Sequence, residues 1–258
     1  MGLATAKMIT PDYHLIIAGR TVAKLDGALE SLSSLGADVE AFPCDVTDSA
    51  SVQKMAEYAA GLGPVKAALN TAGLSPKMAS GSAIFTTNAL GAINMTTEFA
   101  KVMPQNSCIL NVASMAAYMV PSDRVPIQAY KIALSDPAAF CQTMTAMLES
   151  MPDEEARGAA YSLSKNFVKW FSERAACLYG KAGVRVVSIS PGTTKTPMGD
   201  LEGEEAAAIA QKGALGRVGE VDELANVMAF IISEKASYLT GADILCDGGT
   251  IAALENEG

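Results

Sequence analysis

The sequence predicts an α/β fold: a doubly wound parallel sheet with helices on both faces, in three layers, α/β/α. Three observations carry this reading. Short apolar runs rich in β-branched residues alternate with longer stretches at helical spacing. The strand-like runs are continuously apolar, as strands buried on both faces are. Parallel strands need crossovers, and right-handed crossovers place the intervening helices on both faces of the sheet. The length of 258 residues suits one large α/β domain. No internal repeat or low-complexity linker divides it, so residues 1–258 read as one domain.

In chain order, a helical stretch Ala4–Ile9 precedes the apolar run His14–Ala18. Helical Thr21–Leu35 is followed by the strand Val39–Phe42. Asp48 or Ser49 can cap a helix Ser49–Ala60, which Gly61 and Gly63-Pro64 end. The strand Ala67–Leu69, a long helix Ile84–Val102 and the strand Cys108–Val112 come next. The alternation then breaks over a stretch holding Pro121, Pro126, Pro137 and Pro152. Asp136-Pro137 reads as an N-cap followed by proline at the first helical position. Phe140, Cys141, Met144, Met147, Leu148 and Met151 then recur at three- and four-residue steps, an inserted amphipathic helix closed by Pro152. Asp153 can cap the next helix, Ala156–Tyr179, which Gly180 and Gly183 end. Val184–Ile189, Glu204–Gln211, Val221–Ser233 and Asp243–Cys246 complete the series as strand, two helices and strand.

Composition narrows the partners. Half the residues are apolar and 18% charged, which excludes a disordered chain. Nineteen basic against 28 acidic residues give a net charge of −9, so nucleic acid and anionic membrane surfaces are poor partners. No apolar run approaches the ~20 residues that span a bilayer, and the first residues lack the pattern of a signal peptide. The five cysteines are dispersed without a CxxC pair and read as reduced core thiols of a cytoplasmic protein. His14 is the only histidine and gathers no cysteine or carboxylate cluster, so no metal site is expected; it reads as a surface or partly packed side chain.

The chemistry-bearing residues fall at expected strand ends. Tyr161 and Lys165 lie four apart on one helix face. A phenol titrates near ~10, and a neighbouring ammonium favours its anion, which lets tyrosine exchange protons near neutral pH. Ser114 closes the run Ile109–Val112, where open α/β sheets place their ligands. Asn70-Thr71-Ala72-Gly73, Ser190-Pro191-Gly192 and Asp247-Gly248-Gly249 follow other strands. Taken singly these are weak: Ser114 suits a strand-end turn, and Asn88 and Asp45 suit caps.

Their order and spacing resemble the short-chain dehydrogenase/reductase family over essentially the whole chain. The resemblance implies a Rossmann-like fold and a hydride transfer between a nicotinamide cofactor and a carbonyl or alcohol. Tyr161 then matches the catalytic acid/base, with Lys165 lowering its pKa and holding the nicotinamide ribose. Ser114 holds the substrate oxygen, and Asn88 anchors a water of the proton relay. Asn70, Ala72 and Gly73 steady the sheet and border the cofactor ribose. Pro191, Gly192, Thr194 and Thr196 hold the nicotinamide end, and Asp45 and Val46 touch the adenine. Gly19 stands where members using NAD carry an acid, and Arg20 suits a 2′-phosphate, so NADP is the expected cofactor, with NAD possible. The family also implies a small apolar substrate and a homodimer or homotetramer.

Two departures stand out. The family opens with a strand and a glycine-rich TGxxxGxG turn; here only its last glycine, Gly2, and the following helix match. Losing a central strand would leave a gap of about 10 Å and unpaired edges on its neighbours. Met1 is then either an internal methionine of a longer protein or the start of a degenerate variant that binds dinucleotide weakly. Second, 47 positions separate Ser114 from Tyr161, where about twelve suffice. The excess, about 117–156, lies beside the substrate cleft or across the helix face that many members use for pairing. With the run from Gly216-Arg217 to Gly249, it is similar to bacterial 3α-hydroxysteroid dehydrogenases/carbonyl reductases, which implies a hydrophobic or steroid-like substrate. Met144, Met147 and Met151 either line an adaptable pocket or dock the insert on the core. Residues 193–213, with Gly199, Gly203, Glu202, Glu204 and Glu205, read as an exposed, flexible substrate lid. The rival reading is a non-catalytic relative with a regulatory or assembly role.

Overall fold

A computed structural model describes residues 1–256. Parallel strands are layered between helices, as the apolar runs predict, but they form two sheets. Strands β1 (Leu15–Gly19) and β2 (Val39–Pro43) pair with each other. Strands β3 (Ala67–Asn70), β4 (Ser107–Val112), β5 (Val184–Pro191) and β6 (Asp243–Cys246) form the second sheet in that order, all parallel. Among the described residues β1 and β3 each have one paired edge only.

Side-chain alternation builds the two flanking layers. Ile109 of β4 and Val184 and Val186 of β5 face the core shared with α3 (Ser49–Leu62), α4 (Gly81–Phe85), α5 (Gly91–Val102) and α8 (Asp153–Tyr179). Cys108, Leu110 and Val112 of β4 and Val187 and Ile189 of β5 face the other way. There they meet Ile9 of α1 (Gly2–Ile9), Leu32 of α2 (Val22–Ser33) and Leu224, Met228 and Ile231 of α10 (Val221–Ile232).

Several boundaries differ from the sequence reading for local reasons. Asp48, not Ser49, caps α3, accepting from the Ala50 N–H at 3.0 Å. Gly61 lies inside α3, and Gly63 ends it. The expected single helix over Ile84–Val102 starts at Gly81 and contains a wide turn, Thr86–Leu90, where the Gly91 N–H reaches back five residues to Thr86. Asp153 does not cap α8; it is the first helical residue and pairs with Arg157 at 3.2 Å. Two short helices escaped the sequence reading, α6 (Ile127–Ile132) and α11 (Thr250–Asn256).

The inserted helix forms as α7 (Pro137–Glu149), capped by Asp136 accepting from the Ala139 N–H at 2.9 Å. It packs against α4 and α8. Phe140 meets Phe167 at 4.4 Å and Phe85 at 5.5 Å between ring centroids, and Tyr130 of α6 meets Phe167 at 5.1 Å. Met144 is fully buried in this cluster, with Met147 and Met151 against it. Met144 and Met147 dock the insert on the core, while Met151, also against it, lines a small pocket with Ser80, Ser82, Leu148 and Ala156.

Candidate active site

The carboxyl ends of β4 and β5 and the amino half of α8 border an open cleft of about 150 Å³. On one wall stand Ser114 and Tyr161, on the other Pro191, Gly192, Thr194 and Thr196. The strand end delivers Ser114, whose hydroxyl accepts from the Ala116 N–H at 3.2 Å and is hydrogen-bonded to Tyr161. One helical turn beyond Tyr161, Lys165 is buried and its Nζ donates to the Val112 carbonyl at 2.8 Å. The ammonium lies 5.9 Å from the centre of the Tyr161 ring.

Burial pushes the Tyr161 phenol up to about 12; the Ser114 hydrogen bond opposes this and the Glu202 carboxylate adds to it. The Lys165 ammonium is turned to the Val112 carbonyl. Burial pulls Lys165 itself down to about 8. The site therefore holds a protonated phenol beside a hydroxyl, with a cation beneath.

Asn88 sits in the wide turn Thr86–Leu90. Its Nδ2 donates to the Leu74 carbonyl at 3.1 Å and to Ser164 Oγ at 3.1 Å, and its Oδ1 accepts from the Leu74 N–H at 2.8 Å. Both amide hydrogens are thus spent on the protein, on Leu74 and Ser164. Asn70 donates to Asn111 Oδ1 at 3.3 Å, tying β3 to β4. Asn111 in turn donates to Thr96 of α5 and Ser172 of α8.

Several features suit a ligand rich in hydroxyl groups, such as a nicotinamide ribose. A Cβ on Gly73 would stand 3.1 Å from Asn88 Oδ1 and 3.4 Å from Lys165 Nζ, so bare backbone at this position keeps both groups reachable. Ala72 beside it is exposed. Asn70 Oδ1 and Ser190 Oγ, at the ends of β3 and β5, are buried without a hydrogen-bond partner among the described residues. Gly192 lies against Asp247, where a Cβ would approach Asp247 Cα to 2.7 Å.

The remaining predicted residues are placed as follows. Thr194 Oγ1 donates to the Gly192 carbonyl, and Thr196 accepts from the Gly199 N–H as the cap of α9 (Pro197–Lys212). Gly2 abuts the loop after β3, its position 2.5 Å from Thr71 Oγ1 were a Cβ present, and Met1 borders the cleft. Arg20, half-exposed after β1, lies 3.9 Å from Asp45. Asp45 accepts from the Thr47 N–H and hydroxyl, which hold its carboxyl below the ordinary range although burial works against them. Val46 packs on Gly91 and its carbonyl accepts from Asn94. His14, away from the cleft, stands between Asp38 at 2.9 Å and Glu40 at 3.2 Å.

The expected flexible lid is helical. α9 starts at Pro197 and breaks at Gly203, whose φ of 69° suits glycine. Glu204 and Glu205 are exposed, as expected, but Glu202 is half-buried and lines the cleft with Met115, Met198, Ala206 and Ile209. No sequence signal separated Glu202 from its acidic neighbours; its place depends on the turn at Gly203.

A parallel α/β fold with a tyrosine, serine and lysine at one strand-end cleft defines a class of nicotinamide-linked oxidoreductases. The short chain dehydrogenase family profile matches residues 1–149, and that of enoyl-(acyl carrier protein) reductase residues 140–250. The chain belongs to the short-chain dehydrogenase/reductase family. It is 29% identical over 264 residues to the short-chain dehydrogenase/reductase bsc3 of Alternaria brassicicola, spanning 100% of this chain and 94% of that one. With the 3-alpha-hydroxysteroid dehydrogenase/carbonyl reductase of Comamonas testosteroni it shares 30% identity over 189 residues, 71% of each chain. A short chain dehydrogenase from Burkholderia cenocepacia, solved with NADP, shares the fold with a TM-score of 0.76 at 20% identity, over 96% of this chain and 92% of that one.

Proposed function

We propose that this protein is an NADP(H)-dependent oxidoreductase that interconverts a secondary alcohol and a ketone on a hydrophobic, steroid-like substrate. The observation that supports the reading is Ser114 and Tyr161 together in the lining of the cleft, with the Lys165 ammonium buried behind them, 5.9 Å from the centre of the Tyr161 ring. When bound, the nicotinamide supplies the hydride for reduction or accepts it in oxidation. The Ser114 hydroxyl donates to the substrate carbonyl oxygen and fixes it beside Tyr161. The Tyr161 phenol donates its proton to that oxygen, and in the reverse direction takes it back. Lys165 keeps a positive charge beneath the phenol and reaches the ribose past Gly73. Asn88 acts by position, locking Leu74 and Ser164 around the same wall. Pro191, Gly192, Thr194 and Thr196 would hold the nicotinamide end, with Gly2, Asn70 and Ala72 along the cofactor path. Arg20 would meet the 2′-phosphate, and Asp45 and Val46 the adenine.

Apolar lining from Met115, Met198 and Ile209 supports a hydrophobic substrate, as does the name of the Comamonas relative. A cytoplasmic homodimer or homotetramer fits the family. A non-catalytic relative is not favoured: the family membership and the pairing of Ser114 with Tyr161 in the cleft support an enzyme. The test is NADPH consumption by the full chain against a panel of aliphatic, aryl and steroid ketones. Turnover of apolar ketones, with NADPH preferred over NADH, is expected; binding of NADPH with no ketone reduced contradicts the reading.

A further inference from the structure

Glu202 is the one acidic side chain lining the cleft among the described residues. It faces a surface that is otherwise largely apolar, built from Met115, Met198, Ala206 and Ile209, and shares the cleft with Tyr161 and Ser114. No hydrogen bond or salt bridge engages its carboxylate among the described residues, and burial alone raises its pKa. Its neighbours on α9 do not share this role: Glu204 and Glu205 point to solvent across the break at Gly203. An unpaired, half-buried carboxylate is a cost that a fold tolerates at a binding surface, where a ligand can repay the lost solvation.

We propose that Glu202 is a specificity-determining residue, selecting ketones and alcohols that carry a protonated amine on an apolar body and rejecting those that carry a carboxylate. The inference rests on the oxidoreductase reading of the cleft and deepens it by naming the substrate class. Its chemistry is simple. An ammonium entering the cleft gains a charge-assisted hydrogen bond with little competition from water. An anionic substrate meets like charge in a weakly screened space, which discriminates more strongly than an absent contact does. The net charge of −9 acts in the same direction at long range. The apolar walls explain why a small polar substrate would not suffice.

The test uses the full chain with NADPH and three aryl ketones of matched shape: para-(aminomethyl)acetophenone, para-ethylacetophenone and para-acetylbenzoate. The expected order of kcat/KM is ammonium, neutral, carboxylate, with about tenfold or more between the extremes. In Glu202→Gln the ratio of the extremes collapses towards one; in Glu202→Lys the order reverses. Reversal requires a folded protein, so a variant that merely fails to fold cannot mimic it. A ratio unchanged in both folded variants overturns the inference. Dissociation constants of the same three probes, by ligand-observed NMR on wild type and both variants, decide the matter independently of turnover. If no ketone is reduced, the oxidoreductase reading fails, while the binding order and its reversal still support or refute the role of Glu202.

Discussion

Tyr161 works in a setting where burial holds its phenol protonated, near 12, while burial draws Lys165 down to about 8. Signs follow from these two shifts. Below about pH 8 Lys165 is charged and Tyr161 protonated, the pair that the proposed ketone reduction requires; above it Lys165 loses its charge first. The rate of reduction should therefore fall as pH rises through about 8. In Lys165→Arg, where the charge persists, the fall should move to higher pH. A pH profile of kcat/KM for both proteins checks this, and a wild-type rate level well above pH 8 contradicts it. Arg20 supplies a second prediction: Arg20→Ala should raise the KM for NADPH about tenfold or more while changing that for NADH little, as loss of a charge-assisted contact to a 2′-phosphate implies. Equal effects on both cofactors would leave Arg20 no phosphate role. Tyr161, Lys165 and Ser114 were legible because spacing on a helix and position at a strand end are sequence properties. The upward shift of the Tyr161 phenol and the inward turn of Glu202 were not, since both depend on burial by residues remote in sequence.

At the scale of elements, α7 was readable from its ends and its period: Asp136-Pro137 marks the start, and Phe140, Met144 and Leu148 mark the buried face. What the period could not tell was the destination of the methionines, because core packing and ligand pockets use the same residue types. The structure sends Met144 into the aromatic cluster of Phe85, Phe140 and Phe167. Phe140→Ala should cost about 3–4 kcal/mol of stability, and Asp136→Ala about 1 kcal/mol by loss of the cap, both read by denaturant unfolding. A Phe140→Ala protein as stable as wild type would show that the insert does not share the core. The wide turn at Asn88 escaped periodicity because a single extra residue inside a helix leaves the apolar pattern on either side intact. α6 escaped because six residues carry too little pattern to distinguish helix from loop.

Over the whole molecule, the order of strands and helices was legible from alternating apolar runs; their division into a two-stranded and a four-stranded sheet is a pairing that the runs do not specify. A two-stranded sheet shares fewer buried neighbours than the four-stranded one, whose β4 is buried along its full length. Amides of β1 and β2 should therefore exchange with solvent at least about tenfold faster than those of β4 and β5 in native-state hydrogen exchange; equal protection would mean that the two sheets open as one unit. The central claim concerns what this frame positions: a phenol that hands a proton to a substrate held by Ser114. The most direct test is kcat for NADPH-dependent reduction of an apolar ketone by wild type and by Tyr161→Phe, with folding and NADPH binding verified in both. The account predicts a loss of about 10²–10⁴-fold in the variant, with cofactor affinity nearly unchanged. Turnover by Tyr161→Phe within a few-fold of wild type would contradict it.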